Sequence, residues 1–168
     1  MDTGNLGRGA MIAGISGALL FIFMFFSWYG APDEVNDLIE QSQQLGEQLG
    51  VDAGLDGDVD TTANAWQSFD FIDLILFLAV IVSVGFAVMT LVGAASGLPI
   101  AGSAITCGIG VLAFILVLYR LLDPPEEASR EIGVWLGLLA TAGIAIGGYL
   151  GMQEEDTSFG EQADRLRS

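Results

Sequence analysis

The 168-residue chain has no histidine, no lysine and a single cysteine. Without histidine or lysine, the commonest general base, the Schiff-base amine and the imidazole metal ligand are all missing. Cys107 alone can form neither a disulfide nor a thiolate metal site within one chain, and it leaves the redox compartment unread. The only basic residues are five arginines, against 21 acids, for a formal net charge of -16. A basic surface for nucleic acid therefore has nothing to be built from, and that class is excluded. The acidity itself reads first as solubility or salt adaptation rather than as a site. A glycine-rich phosphate loop and an acidic pair inside an apolar run are also missing, so neither an enzyme nor a bound cofactor is expected.

What is present is long stretches of apolar sequence. Hydrophobic residues make up 52% of the chain and the mean hydropathy is +0.60, more than a soluble core of this size needs. Residues 11–29 are uncharged and, at 1.5 Å per residue, long enough for a hydrocarbon core of roughly 30 Å. Trp28 and Tyr29 stand just before Gly30 and Ala31, where signal-peptide cleavage needs small residues, so this segment is expected to remain as the first span. Further spans are expected at about 71–95, 99–119 and 132–152, the second and third joined by the turn Ser96-Gly97-Leu98-Pro99 as an antiparallel hairpin. The fold class is all-α: an integral membrane bundle of four transmembrane helices, residues 1–152, with an acidic outer loop, 30–66, containing a short amphipathic helix. Residues 153–168 read as a cytoplasmic tail, disordered or marginally helical. No solenoid or inverted repeat is visible.

Orientation follows from charge. With the N-terminus inside, Arg8, Arg165 and Arg167 lie inside and Arg120 and Arg130 outside, a small positive-inside bias. The 30–66 loop has nine acids and no base, which keeps it from the anionic inner leaflet. Trp28, Tyr29, Trp66, Phe69, Tyr119 and Trp135 then form an aromatic belt at one interface. Both termini are expected in the cytoplasm.

Within the loop, Pro32 opens a helical pattern over Asp33–Leu49, with Val35, Leu38, Leu45 and Leu49 on one face and acids and glutamines filling the rest. Lacking any lysine or arginine, this helix is not expected to lie on a membrane surface by electrostatics. Its apolar face is expected on the outer ends of the spans, or else on a partner. Asp56, Asp58 and Asp60 have the first, third and fifth ligand spacing of a calcium loop. Thr61 and Gln67 stand where that loop requires glycine and glutamate, so the triplet is a weak metal candidate and a solvated acidic loop is the fuller account.

Charges at the membrane boundary cluster at its outer side. The hairpin places Arg120 at about the depth of Asp70 and Asp73, where a structural ion pair fixing helix register is expected. Small residues recur every four positions, as Gly133, Gly137 and Thr141 and as Gly143, Gly147 and Gly151 on the fourth span, and as Gly102, Thr106 and Gly110 on the third. Packing within the chain is expected to use some of these rows, and the doubled row on the fourth span leaves a candidate face for association between chains. Polar residues within the spans are limited mainly to Ser16, Ser83, Thr90, Ser103, Thr106 and Thr141, too few for a transport path.

The segments Ala65-Trp66-Gln67-Ser68-Phe69-Asp70, Leu118-Tyr119-Arg120-Leu121-Leu122-Asp123-Pro124-Pro125 and Arg130-Glu131-Ile132-Gly133-Val134-Trp135-Leu136-Gly137-Leu138-Leu139, with the tail Glu154-Glu155-Asp156-Thr157-Ser158-Phe159-Gly160, carry a resemblance. The chain is similar over nearly its whole length, except loop residues 30–64, to small four-helix membrane proteins of actinobacteria to which no function is assigned. That resemblance implies the tetraspan topology and a bacterial plasma membrane, and no activity. Claudins and tetraspanins share the broad layout, but their loop cysteines are missing here. The function expected is a structural or accessory membrane protein that associates with itself or with a membrane partner in the lipid bilayer. The alternatives are a homo-oligomeric pore that attracts cations through its acidic loops and a lipid-binding envelope protein.

Overall fold

The computed structural model describes residues 7–50, 62–68, 71–94, 102–124, 128–155, 160 and 164. Its elements in chain order are α1 (Arg8–Phe23), β1 (Ser27–Gly30), α2 (Asp33–Leu49), β2 (Thr62–Asn64), α3 (Ala65–Ser68), α4 (Ile72–Leu91), α5 (Gly102–Leu122), β3 (Ser129–Arg130) and α6 (Ile132–Glu154). Three helices, α4, α5 and α6, are long and apolar enough to cross a membrane, while α1 is a shorter apolar helix. Their outward faces carry large apolar side chains such as Leu74, Ile81, Ile115 and Leu139, the reverse of a water-soluble surface. These features mark the chain as membrane-embedded.

Close contacts set the direction of each helix. Gly9, Ala13 and Ser16 of α1 meet Gly151, Gly147 and Gly143 of α6, so one index falls as the other rises and the pair is antiparallel. Gly14 and Gly17 meet Ala87 and Ser83 of α4 in the same sense, and Ser103, Cys107 and the backbone at Gly110 meet Gly151, Gly148 and Ala145 between α5 and α6. The result is an up-and-down bundle in which α6 lies between α1 and α5, with α4 opposite it. Leu20, Leu76, Val117, Val134 and Ile144 fill its core, all buried.

No helix runs the length of the expected first span, 11–29. The uncharged run continues to Tyr29, yet helix α1 ends at Phe23. Tighter bonds, Phe25 N–H to Ile22 O at 3.1 Å and Phe26 N–H to Phe23 O at 3.1 Å, close the last turn. The Trp28 indole N–H then donates to the Phe23 carbonyl at 2.7 Å, satisfying a helix-end acceptor. The aromatic residues that raise hydropathy here also favour extended backbone, and two short strands stand ready to pair with them. A three-stranded antiparallel sheet, ordered β2-β1-β3, therefore covers the end of the bundle where α1 and α5 finish and α4 and α6 begin. The expected all-α class is corrected to this extent: the chain is mostly helical with a small sheet added.

Other boundaries follow local chemistry. Helix α4 closes in a Schellman motif, with Gly93 at φ 71, Ala94 N–H bonded to Met89 O at 2.9 Å and Gly93 N–H to Thr90 O at 3.2 Å. Helix α2 ends on Gly50 in the left-handed region, φ 62. The expected turn at 96–99 and the start of the third span at 99–101 lie outside the described residues, as does most of the tail.

Candidate functional site

The sheet cap is built on Trp28 of β1, which is fully buried. Its ring lies over the α6 backbone, and a Cβ at Gly137 would come within 2.4 Å of it, while one at Gly133 would come within 2.5 Å. The first glycine row of α6 is thus a seat for this indole. Beside it, the Tyr29 hydroxyl donates to Arg120 O at 2.9 Å and Arg130 Nε donates to Leu121 O at 2.6 Å, so two terminal carbonyls of α5 gain partners from β1 and β3. Ser129 Oγ adds a bond to Ala31 O at 3.1 Å. Burial pushes the Tyr29 hydroxyl up to about 12 from its usual 10.0, with Arg120 and then Arg130 pulling the other way.

The expected ion pair is only partly placed. Asp73 sits in the first turn of α4, where its Oδ1 accepts the Leu74 N–H at 2.7 Å, and Arg120 sits in the last turn of α5. Asp70 lies outside the described residues. So do Asp56, Asp58 and Asp60, and among the described residues no three acidic or thiol side chains gather in a metal-holding group.

The second glycine row of α6 is covered inside the chain as well. A Cβ at Gly147 would stand 2.4 Å from the Ala13 backbone nitrogen, one at Gly143 would meet Ser16, and Gly151 lies against Ser103 and Phe86. Gly110 abuts the backbone of Ala145 on α6, while Thr106 Oγ1 donates to Gly102 O at 2.8 Å and Thr141 Oγ1 to Gly137 O at 3.0 Å. Ser83 Oγ likewise donates to Ala79 O at 2.7 Å. These buried hydroxyls satisfy their own helices. Packing within the chain, expected to use some of these rows, covers both rows on α6: Trp28 lies on one and α1 on the other, so the candidate face for another chain is taken up.

At the end of the bundle opposite the sheet, two consecutive carboxylates meet the starts of two helices. Glu154 accepts the Gly9 N–H, at 3.3 and 3.4 Å from its two oxygens, and Ser103 Oγ donates to Glu155 Oε2 at 2.5 Å. Both acids sit where α1 and α5 present their positive N-terminal ends. Sequence reasoning assigned these residues to the tail. The signal was available in the topology, because the end of the last helix must lie beside the beginnings of its antiparallel neighbours.

Helix α2 behaves in the opposite way to α6. Val35, Leu38, Leu45 and Leu49 are 42%, 64%, 57% and 70% exposed, while Ile39, Ser42 and Gly46 are half-buried. The expectation that this apolar face rests on the span ends is corrected: its greater part is open. Compared with known proteins, the chain matches no protein-family model, no curated protein and no solved structure.

Proposed function

We propose that the chain is a structural or accessory protein of a bacterial plasma membrane, crossing it four times with both termini cytoplasmic and associating with other protein through its outer face. The observation that carries this reading is the open apolar face of α2 beside a bundle whose glycine rows are already filled. Helix α1 makes the fourth crossing. Its 16 residues span about 24 Å, and the uncharged residues 24–28 continue the path to the outer boundary. In this reading Arg120, in the last turn of α5, pairs with Asp73, in the first turn of α4, at that boundary. The non-enzymatic part of the reading draws support from the chain's lack of histidine and lysine and from buried hydroxyls committed to their own helices.

The test is extraction of the tagged protein from its own membrane into native nanodiscs, followed by mass determination. A protein assembly heavier than the 17.7 kDa chain is expected, and a bare monomer with lipid alone would overturn the reading. Labelling of Gln44→Cys by an impermeant maleimide from outside the cell, with Arg8→Cys protected, checks the orientation.

A further inference from the structure

The open face of α2 has a period of its own. Val35, Leu38, Ser42, Leu45 and Leu49, the four apolar residues exposed and Ser42 half-buried, follow at steps of three, four, three and four, the alternation of a coiled-coil seam with a repeat of 3.5 residues. Taking Val35 as the first seam position, the residues beside the seam are Glu34, Ile39, Gln41, Gly46 and Gln48, and only Glu34 of these is charged. The remaining acids with described side chains, Asp37, Glu40 and Glu47, stand farther round the helix, with Glu40 and Glu47 opposite the seam. The face also reads nearly the same in both directions about Ser42, with Leu38 and Leu45 on either side of it and Val35 and Leu49 beyond.

From this arrangement we infer that α2 pairs with the α2 of a second copy of this chain, through a short two-stranded seam centred on Ser42. The inference rests on the association proposed above and names the partner. Charge decides between occupants. A basic partner helix would meet isoleucine, glutamine and glycine beside the seam, and the attraction of so acidic a chain would be wasted on the far side. A copy of this chain would be repelled by acids beside the seam, and that is where they are scarce. A lipid surface is the poorest fit, because interfacial helices draw on Lys and Arg along the polar face and α2 has none. At 17 residues, an isolated α2 is near the length at which helices in water are marginal. The seam therefore depends on the membrane to hold the two copies close and equally oriented, and twofold symmetry brings the same face from each.

The near-palindromic face makes Ser42 the crossing point whether the two helices run parallel or antiparallel, so it is the position to test. The native Cys107 is buried in the bundle and can stay. Under mild oxidation in native membranes, Ser42→Cys should give a disulfide-linked species of twice the chain mass, and Glu40→Cys, on the far side of the helix, should not. Absence of that species, equal cross-linking at both positions, or an adduct of another mass would each overturn the inference; the last would leave the accessory function standing with a different partner. A second measurement separates the two levels. In native nanodiscs, the Leu38→Gln, Leu45→Gln double variant should fall from dimer to monomer. A persisting dimer would show that the spans hold the copies together, which overturns pairing through α2 while retaining association.

Discussion

Helix α6 and helix α2 both carry regularly spaced residues along one side, and the chain treats the two stripes differently. On α6 the stripe is made of glycines, and each meets something specific: the Trp28 ring at Gly133 and Gly137, Ser16 at Gly143, and the Ala13 backbone at Gly147. On α2 the stripe is made of Leu and Val, and it stays open. In an apolar solvent, burying a leucine gains little, so close helix contact relies on small residues that let backbones approach. In water the same leucine is costly to expose. The glycine rows of α6 therefore mark covered faces within the bundle, and the large exposed residues of α2 mark an unfinished face outside it.

The largest expected effects lie on the covered side. Trp28→Ala removes a fully buried ring and its bond to Phe23 O, and should cost about 3 to 5 kcal/mol, read as loss of thermal stability in detergent. Gly147→Val forces a branched side chain into the Ala13 backbone and should cost about 3 kcal/mol, the upper end of ordinary overpacking. Gly85 and Gly108 give the contrast, since a Cβ at either meets nothing within 4 Å. Gly85→Ala and Gly108→Ala should be neutral or stabilising by up to about 1 kcal/mol, the helix penalty of glycine relative to alanine. Equal losses at Gly147 and Gly85 would break the distinction between filled and open faces.

A smaller effect is expected at the end opposite the sheet, where packing gives way to polar caps. Glu154→Gln and Glu155→Gln keep the shape but remove the charge that faces the N-terminal ends of α1 and α5. Each should lower stability by about 1 kcal/mol at most, within the range of helix caps and exposed dipole interactions. An unchanged melting temperature in both variants would reduce these contacts to incidental proximity.

Much of the bundle was legible from hydropathy, because α4, α5 and α6 are long uncharged runs bounded by charge, glycine or proline. Helix α2 was legible over the same bounds, 33–49, because Pro32 and Gly50 punctuate it. The end of α1 was not, since the aromatic residues after Phe23 satisfy a hydropathy window and a strand equally well. What decides is pairing with Thr62–Asn64 and Ser129–Arg130, strands of three and two residues that are too short to show a period. The glycine rows were visible as rows, but spacing does not say what fills them. Trp28 comes from a strand, and nothing local in sequence ties it to Gly137.

Tyr29 lies where the two regions join, in the strand between α1 and α2. Its hydroxyl is raised to about 12, above the ordinary 10.0 of the unfolded chain, so the folded state holds the proton that the unfolded state releases between those values. The linked stability is fully present below pH 10.0 and declines as pH rises through about 12. In an ultraviolet titration of phenolate, the difference between wild type and Tyr29→Phe should be a single group ionising near 12. A difference centred near 10 would mean that the cap does not exclude water.

The smallest effect on stability is expected at the open face. Leu38→Gln and Leu45→Gln replace side chains that are 64% and 57% exposed, so the fold has little to lose. The change in melting temperature of detergent-isolated monomer should correspond to less than about 0.5 kcal/mol, the usual span for surface substitutions. Gain or loss beyond that would mean that α2 packs on its own chain in solution, and the contrast with α6 would fail. Near-neutral folding together with lost association in the membrane is the pattern that separates a surface kept for a partner from one that merely tolerates exposure. Only a partner gives the leucines something to do that the monomer does not need.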